Sequence, residues 1–380
     1  MRFVFKFISL SALFFLFSGA ALAQKPPTIR IALLKDIDSL TIRGEELRLL
    51  APEEKPVNTF LTSPAHIRPV DDVIQIGQDQ YNFGFVAISD AHGKLQLDGK
   101  TFAGSIEVRN MGGGKLLVIN ELPLEKYLVG LIHGELNASW PLETIKAQAV
   151  AARTYALYTR KKNLKPLYDL ETNHLDQVYV GSKGDKDLIV EEAIKQTDGE
   201  VLWFLGVYPG YYHSDCGGQT ELSKNVWGGS EPSSSIVDSY CKNSPAHRWR
   251  LTISKKELLQ SLTPHGLEGK VIRNISAELR DDSSRNALVS IETDAATLYL
   301  KATDLRRILG YNRLKSTWFQ VAANADGIDF IGYGHGHGVG LCQWGAKTMA
   351  EKGFNYRSIL KFYYPKAEVR KIYESHAGNI

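Results

Sequence analysis

The sequence predicts a mixed α+β protein rather than a doubly wound sheet. Three observations carry that prediction. Short strand-like runs fill residues 28–110, a long helix signal occupies 141–162, and the rest mixes strands and helices without regular alternation. With 380 residues, the chain holds one large domain or two ordinary ones.

The first element is "MRFVFKFISLSALFFLFSGAALAQ". Arg2 and Lys6 precede an apolar run and a small-residue "ALA" ending, the pattern of a secretory signal cleaved after Ala23. The run is short for a membrane anchor and lacks a basic stop-transfer flank. No cysteine follows the cleavage site, which argues against a lipoprotein anchor. Without Arg2 and Lys6 the formal charge falls from +3 to +1. So small a charge argues against a nucleic-acid partner held by a basic face. Export puts Cys216, Cys241 and Cys342 where thiols can pair, with one left over.

"TIRIALL" alternates apolar and polar residues and reads as a strand, as do "HIRPV" and "YNFGFVAI". "GKLLVINELPLEKYLVGLIHGEL" begins as a strand and turns helical. In the helix signal that follows, Pro141 stands in a first turn, where its missing N–H costs little. Glu143 suits the same turn. Leu142, Ile145, Ala149, Ala152 and Ala156 make one face, and small alanines allow close packing, so this helix is expected to be buried. "DLIVEEAIKQTDG" predicts a helix ending at Gly199, and "EVLWFLGVYPGYYHSDCGG" a strand pair around Pro-Gly. Residues 228–248 are loop-rich, later strands and helices follow, and "YGHGHGVGLCQWGAKTMAEKG" leads into a final helix. These elements give a signal over 1–23, a β-rich region over 24–110, a main region over 111–372 and a tail over 373–380.

Four clusters hold side chains fit for chemistry. Glu135 lies among Leu131, Ile132, Leu136 and Trp140, just before the long helix. A carboxylate among apolar residues is either a helix-terminal or paired group, or a proton donor whose pKa burial raises. Gln148 and Arg153 interrupt the apolar helix after it. The second cluster, "NHLDQVYVG", offers His174, Asp176, Gln177 and Tyr179, and alone reads equally well as a capped loop. The third, "YYHSDCGGQTE", offers His213, Ser214 and Cys216. Neighbours on a strand point to opposite faces, so His213 and Ser214 make a poor base–nucleophile pair. The fourth, "GYGHGHGVGLCQWGA", lacks the Lys-Ser/Thr ending of a phosphate loop. His335 and His337 leave a minority zinc reading open, with His213, Cys216 or Cys342 completing the ligands.

In this order, "GELNASWPLETIKAQAVAARTYAL", "DQVYVG", "HSDCGGQTE" with "VWGG", and "GHGHGVGLCQWGAKTMAEKG" resemble the stage II sporulation protein D family, also called the LytB amidase-enhancer family. The resemblance spans residues 28–372. It implies an exported protein, periplasmic or associated with the cell wall, that cuts peptidoglycan glycan strands without water. The products carry 1,6-anhydro ends on N-acetylmuramic acid. The family's catalytic acid falls on Glu135, working alone as acid and then base. A hydrolase needs a second carboxylate, for which Asp176, Asp215 or Glu221 are candidates. Gln148, Arg153, Gln177, Tyr179, Ser214, His337 and Gln343 fall in family motifs and are expected to line an open substrate groove. Trp227, Trp249 and Trp344 are candidates to stack on sugars.

The expected partners are glycan strands and a cell-wall amidase acting upstream. A non-catalytic amidase enhancer is the alternative. Some relatives bind zinc through cysteines and a histidine near "H-x-QVY", but "DLETNHLDQVY" has no cysteine, so no metal and no cofactor is expected. Cys342 stands where a serine is common. Cys216 and Cys241 are read as a disulfide pinning the loop after the "HSDCGG" strand.

Overall fold

The computed structural model describes residues 26–50, 59–162, 167–172, 177–184, 188–324 and 327–373. The expected signal segment, His174 and Asp176, and residues 374–380 of the tail lie outside them. No helix among the described residues is long and apolar enough to cross a membrane. The architecture is α+β, as the sequence predicts: helices and many short strands, with no closed barrel among the described residues.

The first strand, Thr28–Ile37, buries Ile29 and Ile31 as its alternation requires and pairs antiparallel with Leu116–Pro123. That second strand pairs in turn with Ser105–Asn110. The hairpin straddles position 110/111, so the β-rich and main regions share one seven-stranded sheet. A six-stranded sheet, built on Leu40–Arg43 and Ala65–Val70, contributes Leu40, Ile42, Ala65 and Ile67 to the same core.

Helix α1 spans Leu124–Glu135 and helix α2 spans Leu142–Lys162. On α1, Leu124, Tyr127, Leu128, Leu131 and Ile132 recur at helical spacing and enter this first core. The predicted apolar face of α2 is there too, through Ile145, Ala149, Ala152 and Ala156. Its opposite face, Ala147, Val150 and Ala151, enters a second core with the helices Gln343–Glu351 and Tyr356–Tyr363. The helix is therefore buried on both sides, which its small alanines permit. A third core lies within residues 249–330, between two three-stranded sheets and the helices Lys255–Leu262 and Ala302–Leu309.

The expected strand pair around Pro209–Gly210 differs in detail. The chain reverses earlier, at Leu205 and Gly206, where Tyr208 N–H returns to Leu202 C=O at 2.9 Å. Tyr212–His213 then pairs parallel with Leu341–Cys342. That pairing joins the third and fourth sequence clusters.

Candidate active site

Glu135 is the last residue of α1. Its neighbour Gly134 explains the local geometry. A Cβ on Gly134 would stand 1.9 Å from the Val178 carbonyl oxygen, and one on Gly130, a turn earlier, 2.7 Å from the Gly181 carbonyl oxygen. Two glycines four apart therefore clear one helix face for segment 177–181. With the segment this close, Val178 N–H donates to Glu135 Oε1 at 2.7 Å.

Tyr212 also hydrogen-bonds the Glu135 carboxylate. Its hydroxyl is aimed by a relay: Tyr127 Oη donates to Gln177 Oε1 at 2.8 Å, and Gln177 Nε2 donates to Tyr212 Oη at 3.0 Å. With its acceptor role used, the Tyr212 hydroxyl has its proton free for Glu135. Burial raises the Glu135 carboxyl, while the two donors pull it back, and the balance lies at about 7. The C-terminal end of a helix further disfavours a negative charge.

Glu135 lines a cleft of about 730 Å³. Its other walls come from Tyr212 and Ser214, Trp227, the 302–317 segment, the His-Gly loop and Gln343. Among the expected substrate residues, Ser214, His337 and Gln343 line the cleft. Burial among other positive groups holds the His337 imidazole well below its usual range, so it is neutral. Val339 N–H donates to its Nδ1 at 3.0 Å. Trp227 is half exposed on the cleft wall, its ring 4.9 Å from that of His337.

The other four expected substrate residues do not line the cleft, and each has a structural partner. Arg153 is fully buried and bidentate on Glu125, at 2.8 and 2.7 Å, with its remaining arm on Glu200 C=O. Tyr179 is buried and donates to Asn120 Oδ1 at 3.0 Å. Gln177 is buried and acts on Tyr212 as described. Gln148 is buried, its Oε1 3.5 Å from Gln343 Nε2. Trp249 is buried, donating to Gly334 C=O, and Trp344 packs edge-on against Trp140.

Sequence reasoning missed Tyr212 and Tyr155, the Val178 amide, and the cleft wall from Thr303 to Thr317 that carries Arg306, Tyr311 and Asn312. Tyr212 had a signal: it stands beside His213 in a strand leading to a singled-out motif. The 302–317 wall had none. Of the three carboxylates considered for hydrolysis, Asp215 and Glu221 are buried outside the cleft, and Asp176 is not among the described residues. Asp304 does line the cleft but is ion-paired with Arg307 at 3.2 Å.

The expected disulfide is absent. Cys216, Cys241 and Cys342 are free thiols, and the Cys216 and Cys241 sulfurs stand 3.5 Å apart, beyond bonding distance. The Cys216 thiol instead donates to Asp238 Oδ2 at 3.2 Å.

A family model described as "Stage II sporulation protein" matches residues 112–204, which contain Glu135 and α2. A second, a domain of unknown function (DUF8618), matches residues 234–340, around the third core. An uncharacterized protein of Brachyspira hyodysenteriae is 34% identical over 256 residues, 67% of this chain and 68% of its own length. The amidase enhancer of Bacillus subtilis is 30% identical over 322 residues, covering 72% of this chain and 44% of that protein. Stage II sporulation protein D of Bacillus subtilis is 27% identical over 267 residues, 66% of this chain and 75% of its own length.

Proposed function

This chain belongs to the stage II sporulation protein D family, and we propose that it is an exported lytic transglycosylase acting on the glycan strands of peptidoglycan. The observation that carries the reading is Glu135: a carboxyl in a cleft wall, held near neutrality by burial and met by two hydrogen-bond donors. The names of the amidase enhancer and sporulation relatives support a cell-wall role.

The chemistry follows from one titrating group. Protonated Glu135 gives its proton to the oxygen linking N-acetylmuramic acid to N-acetylglucosamine, and the C1–O bond breaks. The charge left on the muramic acid ring is oxocarbenium-like, and the Glu135 carboxylate now faces it. That carboxylate takes the proton from the sugar's own C6 hydroxyl as O6 bonds to C1. The 1,6-anhydro ring closes, Glu135 is protonated again and no water is consumed. Val178 N–H and Tyr212 stabilise the carboxylate midway. Ser214, His337 and Gln343 line the cleft and, on this reading, hold sugar hydroxyls and N-acetyl groups, with Trp227 as a stacking face. A cell-wall amidase acting first, to strip stem peptides, is the expected partner.

The test is to incubate the protein and Glu135→Gln with intact sacculi and with peptide-stripped strands, and to examine the ends by mass spectrometry. The expected result is 1,6-anhydro ends from the wild type and none from the variant. Ordinary reducing ends would mean hydrolysis and turn attention to Asp304. Strand binding without new ends of any kind would leave the non-catalytic role that the amidase enhancer's name suggests.

A further inference from the structure

A second constellation lies outside the cleft that Glu135 lines. The Sγ atoms of Cys216, Cys241 and Cys342 and a carboxylate oxygen of Asp215 all lie within 4.8 Å of one another. All four residues are completely buried. They come from three places: the strand end after His213, the short 3₁₀ turn Tyr240–Asn243, and the residue capping the helix Gln343–Glu351. We propose that Cys216, Cys241, Cys342 and Asp215 form a binding site for a thiophilic divalent cation, zinc foremost, that ties these three segments together.

The geometry fits. Ligands at about 2.3 Å from a tetrahedral zinc stand about 3.8 Å apart. The Cys216 and Cys241 sulfurs are already at 3.5 Å, and all four ligand atoms lie within 4.8 Å of one another. Closing on a metal therefore needs movements of about 1 Å.

The surroundings also fit. Asp215 Oδ2 is buried without a hydrogen-bond partner, although Oδ1 accepts from Gly217 N–H at 2.7 Å. An orphaned buried carboxylate oxygen costs free energy unless something cationic meets it. Cys342 Sγ accepts from the backbone N–H groups of Cys216, at 3.3 Å, and Gly345, at 3.4 Å. Such donors orient and stabilise a metal-bound thiolate. His247 Nδ1 stands 3.7 Å from Cys241 Sγ and 3.9 Å from Asp215 Oδ1, beside the cluster as a support or a competing fourth ligand.

Charge balance points the same way. Three thiolates and a carboxylate carry four negative charges, and a divalent cation cancels two. Arg285, fully buried, donates from Nη2 to Cys216 C=O at 2.7 Å, and its Nε and Nη1 have no hydrogen-bond partner. Its Nε also stands 3.9 Å from Glu221 Oε2, so the positive charge it brings next to the cluster is shared with that carboxylate. Metal binding expels the thiol protons. Asp238 Oδ2, which accepts from the Cys216 thiol at 3.2 Å, stands directly beside the cluster.

The sequence-based expectation of no metal rested on the missing cysteines beside His174. This cluster lies elsewhere, and it accounts for all three cysteines where a disulfide leaves one over. Its lever on the cleft is direct, because Ser214 and Gln343 flank the proposed ligands in the chain and line the cleft.

The test does not depend on glycan activity. Full-length protein is reduced, stripped of metal and titrated with cobalt(II) alone, then with zinc(II). We expect saturation at about one equivalent, sulfur-to-cobalt charge-transfer absorption, the strong visible bands of a tetrahedral site, and displacement by zinc. Cys216→Ser, Cys241→Ser and Cys342→Ser should each remove the saturating uptake, and Asp215→Asn should weaken it. Should these variants fail to fold, the wild-type titration decides. A folded, reduced wild type that takes up neither metal overturns the proposal. So does a Cys216–Cys241 disulfide found by peptide mapping in protein from the oxidising compartment.

Discussion

Helix α1 carries a glutamate at each end, and the two have opposite fates. Glu125 sits in the first turn, where the helix dipole favours a negative charge. Arg153 reaches it with two nitrogens from α2, and both partners are buried. Glu135 sits at the last position, where the dipole opposes a negative charge, and among the described residues it meets neutral donors, Val178 N–H and Tyr212. One carboxylate is neutralised into architecture. The other is kept poised to gain and lose a proton. Residue type and helix are the same, so the partner, the helix end and access to the cleft set the difference.

The largest expected effect comes from removing the poised group. Glu135→Gln should lower the formation of anhydro ends by about a hundred- to ten-thousand-fold, the usual worth of a general acid–base. It should not weaken the fold. The wild-type carboxyl titrates at about 7 when folded and near 4.5 when unfolded. Between those values the folded state binds more protons, so its stability falls as pH rises through that window. The glutamine variant lacks this loss. Relative to wild type, it should therefore gain stability between pH 5 and 8, by on the order of 2 kcal/mol. Urea unfolding at both pH values checks the sign. A variant that loses stability equally at both would make Glu135 another Glu125.

The architectural end should respond in the reverse way. Arg153→Leu strands Glu125 in the core and should cost about 3–5 kcal/mol. Adding Glu125→Leu should recover much of that, because the unpaired buried charge is then gone. Double-mutant unfolding measures the coupling. If the double variant is no more stable than the single, the pair does not act as a buried unit.

An intermediate effect belongs to Gly134. An alanine there places its Cβ against the Val178 carbonyl, so segment 177–181 must move. Val178 N–H then leaves Glu135. Moving a contact by about 1 Å can cost about a hundred-fold in rate, alongside about 1–3 kcal/mol for overpacking. Activity falling with no loss of stability would place the cost on the Glu135 contact alone.

Much of this contrast was legible in the sequence, and part of it was not. Alanine spacing on α2 and the apolar run of α1 fixed two helices, and the apolar surroundings of Glu135 marked it as unusual. Arg153, Gln148, Gln177 and Tyr179 share the same motifs, and the family resemblance alone points them to the groove. All four are buried behind the wall, paired with Glu125, Gln343, Tyr127 and Tyr212, and Asn120. A polar residue on an apolar helix does not reveal whether its partner is a ligand or another side chain. The cysteines show the same limit: an exported chain with three of them reads as one pair with one left over, while the parallel pairing of Tyr212–His213 with Leu341–Cys342 brings the third to the same point.

The smallest effect sharpens the account of Glu135 most. Activity should fall as pH rises above about 7, because the leaving oxygen then finds a deprotonated acid. Tyr212→Phe removes one of the two donors to the carboxylate and leaves the burial term in place. The ionised form loses support, so the Glu135 pKa should rise and the alkaline limb should move to higher pH. The plateau rate should fall by less than about ten-fold, since Val178 N–H still meets the carboxylate. Gln177 keeps its hold on Tyr127, so the relay loses only its last member. An unmoved limb with a lower plateau would show that Tyr212 shapes the cleft without tuning the acid. A limb moved to lower pH would mean that the hydroxyl supports the protonated form instead, reversing the direction of this hydrogen bond.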